Sequence, residues 1–260
     1  GDPSQWEIGA QRTDAIMIVQ VSGDRESVSV MSIPRDSWVE IPGHGQAKIN
    51  AAYSYGGPSL TIQTVENLTG IRISHFVIAD FESFQNLTNE LGGVTINLKE
   101  PQTLAGTEFP AGAQHLNGKQ ALAYTRERKS LPGGDLDRVK RQQTWMRAIV
   151  REVLTGGTLS SPTRLYSFLK TATQTAAVDE SFTIDEMQSL ALGLRGLHSN
   201  DISFMTVPTN GAGTSPDGQS IVELNPDADT PLFQAFATDT VKDYLEQHPD
   251  AVELLPATVN

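Results

Sequence analysis

The sequence contains no cysteine, which excludes disulfides, thiolate nucleophiles and cysteine-ligated zinc. Basic residues are scarce: 19 Lys and Arg stand against 31 Asp and Glu in 260 residues, a net charge of −12. General nucleic-acid binding calls for a basic domain and is excluded. An acidic surface is also repelled by an anionic membrane, except where a local basic patch faces it. No apolar run approaches the roughly 18 residues of a membrane span, and no signal-peptide pattern is seen. The five histidines, His44, His75, His115, His198 and His248, lack paired spacings such as HExxH. A GxSxG elbow, a Walker A loop and a GxGxxG fingerprint are absent as well, so nucleophilic triad chemistry has no support.

What remains is an ordinary globular composition, 38% hydrophobic and 19% charged, long enough for one large domain or two small ones. Residues 14–21 are β-branched and apolar, which predicts a strand buried on both faces, with 27–33 as its hairpin partner. Helices are expected over 58–68, 82–91, 117–124, about 137–154, 161–175, 184–194 and 231–246. The long helix is read with Val139, Met146, Val150 and Val153 on its apolar face. Further strands are expected over 75–81, 94–98 and 201–207. Residues 100–114 and 209–220 read as loops. Strands interleaved with helices predict an α/β layered fold.

Eight of the basic residues fall in one segment: Arg126, Arg128, Lys129, Arg138, Lys140, Arg141, Arg147 and Arg151. In an acidic protein such a concentration suits a compact polyanion, because the arginine fork grips phosphate oxygens in pairs; the alternative is a solvated helix face. Arg138 and Arg141 share a face that Gln142 extends, in the first turns of a helix where cations oppose the helix dipole. Asp135 or Asp137 can cap that helix, or take a metal or base role. Arg12 and Asp14 precede the first strand, and Arg35 and Asp36 follow the second, so a hairpin puts all four at one sheet edge. Arginine with aspartate there suits a phosphate and a divalent metal; structural salt bridges are the other reading. Lys48 and Asn50 bind a ligand or cap a helix, capping being favoured.

Taken together, Arg12-Thr13-Asp14, Ser32-Ile33-Pro34-Arg35-Asp36, Lys48-Ile49-Asn50-Ala51-Ala52-Tyr53, Leu116-Asn117-Gly118 with Tyr124, Arg126 and Arg128, and Gly134-Asp135 with Arg138, Arg141, Gln142 and Gln143 resemble the LytR-CpsA-Psr family. The resemblance spans roughly residues 10 to 155. It implies a three-layer α-β-α sandwich with a mixed central sheet and an apolar lipid-binding tunnel. It implies a single catalytic domain over 1–260, with the family's first strand, its Gly-x-Asp-x-Arg motif and its N-terminal membrane anchor missing from this sequence. The implied activity is a Mg²⁺-dependent phosphotransferase that moves a glycopolymer from a polyprenyl-pyrophosphate carrier to peptidoglycan or another cell-wall acceptor, with a pyrophosphatase-type side activity. The implied location is extracytoplasmic, membrane-anchored and facing the wall.

By motif, Arg126, Arg128 and Asp135 are the expected catalytic residues. Arg12, Arg35, Arg126, Arg128, Arg138, Arg141 and Gln142 are the expected pyrophosphate binders, and Asp14 is the expected Mg²⁺ ligand. The competing expectation is a non-catalytic module that binds a lipid pyrophosphate or an anionic wall polymer.

Overall fold

The computed structural model describes Thr13, residues 15–126 and residues 135–256, except the side chains of Asp135 and Leu136. Arg12, Asp14 and Arg128 lie outside the described residues. The elements run β1 (Ile16–Val21), β2 (Val28–Ile33), β3 (Trp38–Ile41), β4 (Gly45–Lys48), α1 (Ala51–Thr69), β5 (Val77–Ile78), α2 (Phe81–Glu90), β6 (Val94–Leu98), β7 (Gln102–Leu104), β8 (Thr107–Phe109) and β9 (Gly112–Leu116). They continue with α3 (Gly118–Arg126), α4 (Asp135–Thr155), α5 (Pro162–Thr175), β10 (Ala177–Val178), α6 (Ile184–Gly193), β11 (Ile202–Thr206), β12 (Thr209–Thr214), β13 (Ser220–Leu224), α7 (Pro226–Ala237) and α8 (Val241–Gln247). The fold is α/β, as expected. Two compact units divide it: a terminal unit, up to Ser74 and again from Ser203 to Leu254, and an inserted unit, His75–Ile202 with residues 255–256.

In the terminal unit the expected hairpin forms, Ile16 opposite Ile33 and Val21 opposite Val28. The sheet order is β1-β2-β11, and this corrects which strand is buried on both faces. All six residues of β2 are buried, whereas β1 is half-exposed, with Val19 56% exposed. A two-sided apolar sequence does not say which strand takes the centre. The core here joins Met31 and Ile33 to Ile41, Ile49, Met205, Leu232 and Phe236. Helix α1 starts seven residues before the expected position. It kinks at Gly56 and Gly57, where φ of +63° at Gly57 requires glycine, and Pro58 opens the second segment.

Two loop readings are corrected to paired strands. Residues 102–109 pair as β7 and β8 around Ala105-Gly106, both at positive φ, the demand of a two-residue hairpin turn. Strand β9 pairs with β6, and the stretch 209–224 is the β12–β13 hairpin, turned by Pro216-Asp217-Gly218. Strands of three residues, or strands carrying glycine, show no periodicity to read. The expected strand over 75–81 shortens to the two-residue β5, paired with β10. Asp179 ends the pairing there: its carboxylate accepts from Phe76 N–H at 3.0 Å and from Ser181 Oγ–H at 2.6 Å. The expected single helix over 231–246 is two. Asn225 caps α7 and Pro226 starts it, while Asp239, at φ +57°, separates α7 from α8.

The inserted unit has its own core, in which Val94, Ile96 and Leu98 of β6 meet Leu116, Ala121, Tyr124 and Trp145. A satellite core gathers Leu165, Leu169 and Met187 between α5 and α6.

Candidate functional site

In the inserted unit the Leu116-Asn117-Gly118 motif sets the position of α3. Leu116 is buried at the end of β9. Asn117 caps the helix reciprocally: its Oδ1 accepts from Gln120 N–H, and its own N–H donates to Gln120 Oε1, each at 3.0 Å. Gly118 N–H donates to Asn89 Oδ1 of α2 at 2.9 Å. A Cβ at 118 would run into the Gln85 carbonyl, so only glycine lets α3 approach α2 this closely. Nine residues after Asn117, Arg126 ends α3 with its guanidinium 4.3 Å from the centroid of the Phe81 ring, at the start of α2.

Helix α4 carries the other cations. Arg138 and Arg141 are 3% and 1% exposed, on the same face as Trp145, Ala148 and Ile149. This corrects the expected face: Val139 is buried, but Met146, Val150 and Val153 are only partly so. The arginines continue the buried stripe of the helix, so the alternative of a solvated basic face does not hold for these two. Arg141 Nη1 donates to the Tyr124 carbonyl at 2.9 Å, and its guanidinium lies 4.5 Å from the Tyr124 ring centroid. Tyr124 is in the last turn of α3, where carbonyls lack helical partners, so Arg141 closes that helix end. The stripe is anchored further along. Trp145 stacks on Phe84, and its Nε1–H donates to Thr88 Oγ1 at 2.9 Å. Gln142 is half-buried, and its Oε1 has no hydrogen-bond partner among the described residues.

Burial pushes the Tyr124 phenol above its usual range, against the pull of the Arg141 and Arg147 charges. Burial lowers Arg147, opposed by Tyr124. Arg147 also donates to the Pro256 carbonyl at 2.9 Å. Asp135 is the first residue of α4.

The terminal unit holds a second polar group. After β2 the chain turns through Pro34, with Ser37 N–H donating to the Pro34 carbonyl at 3.0 Å. Arg35 lies 3.4 Å from Asp36, and Lys48 lies 3.1 Å from the other oxygen of Asp36. The β3–β4 register makes this meeting: Lys48 pairs with Trp38, two residues beyond Asp36. Asn50 N–H donates to the Arg35 carbonyl at 3.2 Å. Asn50 occupies the N-cap position of α1, but its side chain makes no cap bond. It is 2% exposed with Oδ1 unpartnered, so the favoured capping role is not the one it performs. Reading Trp38-Val-Glu-Ile41 as a strand, by its alternation, would have brought Lys48 to Asp36.

The chain matches the LytR_cpsA_psr family over residues 1–231. The chain belongs to the LytR_cpsA_psr family. It is 34% identical over 251 residues to the cell wall biosynthesis protein LcpA of Corynebacterium glutamicum, covering 85% of this chain and 48% of LcpA. It thus spans about half the length of that curated relative. Among solved structures it resembles B. subtilis TagV, with a TM-score of 0.78 and 26% identity over 88% of this chain and 89% of TagV. It also resembles TagT bound to LI-WTA, with a TM-score of 0.73 and 26% identity over 90% of this chain and 87% of that one. The LytR_cpsA_psr motifs now have physical content within each unit. The Leu-Asn-Gly motif seats α3, Arg141 closes it, and Arg35, Asp36 and Lys48 form one ion-paired group.

Metal ligation finds no set among the described residues: no group of three His, Cys, Asp or Glu side chains is placed to hold an ion. Asp36 is already engaged by two cations.

Proposed function

We propose that this chain is the catalytic part of a phosphotransferase that moves a glycopolymer from a polyprenyl-pyrophosphate carrier to a hydroxyl of peptidoglycan or another cell-wall acceptor. The observation that carries this is the burial of Arg138 and Arg141 on the inner stripe of α4. The arginine fork grips phosphate oxygens in pairs and stays charged when desolvated, so two guanidiniums on one buried stripe suit a phosphate ligand. The likeness to TagT bound to LI-WTA and to LcpA supports a wall polymer as that ligand.

In this reading the acceptor oxygen attacks the phosphorus attached to the glycan. The bond from that phosphorus to the bridging oxygen breaks, polyprenyl phosphate leaves, and the acceptor hydroxyl gives its proton to Asp135. Within the inserted unit, Arg126 and Arg128 neutralise charge on the transferring phosphoryl, and Arg138, Arg141 and Gln142 hold the pyrophosphate. Water in place of the acceptor gives the pyrophosphatase-type side reaction. Mg²⁺, bound through Asp14, would supply further charge neutralisation; no step above depends on it. The polyprenyl tail occupies an apolar tunnel. The full-length protein is proposed to be membrane-anchored and to face the wall; no helix among the described residues is long and apolar enough to cross a membrane.

The test is polyprenyl phosphate release from a polyprenyl-pyrophosphate-linked glycan, with and without acceptor, Mg²⁺ and EDTA. Release that depends on the acceptor supports transfer. Tight binding without release assigns the chain to the alternative, a non-catalytic binding module. Activity unchanged by both EDTA and Asp14→Asn removes the metal.

A further inference from the structure

The inserted unit has a cleft of about 270 Å³ at the far end of α4 from the arginine pair. Its lining includes Glu90, Glu152, Thr158, Arg164, Ser167 and Phe168. Fourteen residues separate Arg138 from Glu152, so the helical rise puts the cleft about 20 Å from Arg138 along the axis.

The walls are preset. Gly156 lies against Glu152, where a Cβ would collide with the Glu152 carboxylate, and Gly157 turns the chain at φ +82°. Arg164 Nη1 donates to the Gly156 carbonyl at 2.9 Å, which fixes the guanidinium at the rim. Thr158 is buried behind it.

The chemistry selects a ligand class. Two carboxylates against one guanidinium disfavour a phosphate, and the described residues offer no three-ligand metal set here. Carboxylates accept hydrogen bonds, Arg164 donates them, Thr158 and Ser167 do both, and the Phe168 ring is an apolar wall. A sugar ring has many hydroxyls and one apolar face, and meets each of these. The volume lies just below the usual range for small-molecule pockets, about 300–1,000 Å³, and suits one ring with its neighbours outside.

We propose that this cleft binds an uncharged, hydroxyl-rich glycan through one sugar ring. The site goes beyond the transfer reading: it takes no phosphate and its binding needs no catalysis.

The experiment is an amide NMR titration of the intact chain with chitotetraose, cellotetraose and galactotetraose. A lysine-containing tetrapeptide and inorganic pyrophosphate are titrated in parallel. At least one neutral glycan is expected to give saturable shifts at Thr158, Arg164 and Ser167, without shifts in the first turns of α4. Glu152→Gln and Glu90→Gln should each weaken that binding by about tenfold, as for one lost charge-assisted hydrogen bond, and leave pyrophosphate binding unchanged. The proposal is overturned if no glycan gives saturable shifts, if the shifts map to Arg138 and Arg141, if only the peptide binds the cleft, or if both folded variants bind as the wild type does. Failure of pyrophosphate to bind would sink the transfer reading alone.

Discussion

Arg141 holds Tyr124 twice, its guanidinium 4.5 Å from the ring centroid and its Nη1 2.9 Å from the backbone carbonyl. A residue expected only to grip pyrophosphate therefore also closes α3. Arg141→Ala is expected to lower stability by about 3 kcal/mol, from an uncapped buried carbonyl and a lost cation–π contact. Arg141→Lys should recover less than half of this, because an ammonium lacks the fork. Urea unfolding of the two variants measures both.

Arg126 should separate from Arg141 in the same assays. It is exposed, and its guanidinium lies over the ring of Phe81, itself 44% exposed. Arg126→Ala is expected to change stability by less than about 1 kcal/mol. Transfer should fall by about 100-fold, the scale for removing one donor aimed at transition-state charge. A loss of stability matching that of Arg141→Ala would make Arg126 structural.

Gly118→Ala tests the seating of α3. The added methyl meets the Gln85 carbonyl, so α2 and α3 must move apart. The expected destabilisation is about 1–3 kcal/mol, as for overpacking, and displacement of Arg126 should lower transfer further than the stability loss explains. Thermal melts and single-turnover release check the two parts.

Asp229 makes stability depend on pH. It is buried in α7 with Oδ1 unpartnered; burial pushes its carboxyl up to about 7, against a backbone hydrogen bond at Asn225. The folded value lies above the unfolded one near 3.8, so its contribution is fully present below pH 4 and is lost as pH rises through 7. Asp229→Asn should be more stable than the wild type at pH 8, by about 1–3 kcal/mol, and the gap should close toward pH 5. Denaturant midpoints at the two pH values decide it.

What the sequence showed depended on the range of the cause. Asn117 with Gln120 is a cap whose partners lie three residues apart, and the helix end at Gly92 is equally local, so both were legible. The β7–β8 pair was not, because three residues display no alternation. The burial of Arg138 and Arg141 was hidden for a different reason. Periodicity assigns faces by hydrophobicity, and two arginines in line with Trp145 and Ile149 look like the outside of a helix. The meeting of Lys48 with Asp36 needed the β3–β4 register, which a four-residue strand announces only weakly.

The sheet order β1-β2-β11 also sets a timetable for synthesis. Strand β2 emerges early, but its neighbour β11 follows the whole inserted unit, and Val207 N–H reaches the Ser32 carbonyl only then. The core of the inserted unit, between Val94 and Met187, needs nothing that comes later. On the ribosome the later-encoded unit can therefore fold while the first-encoded one still waits for its third strand. During that interval β2, all six of whose residues are buried in the finished fold, has one edge still unpaired and open to misassociation.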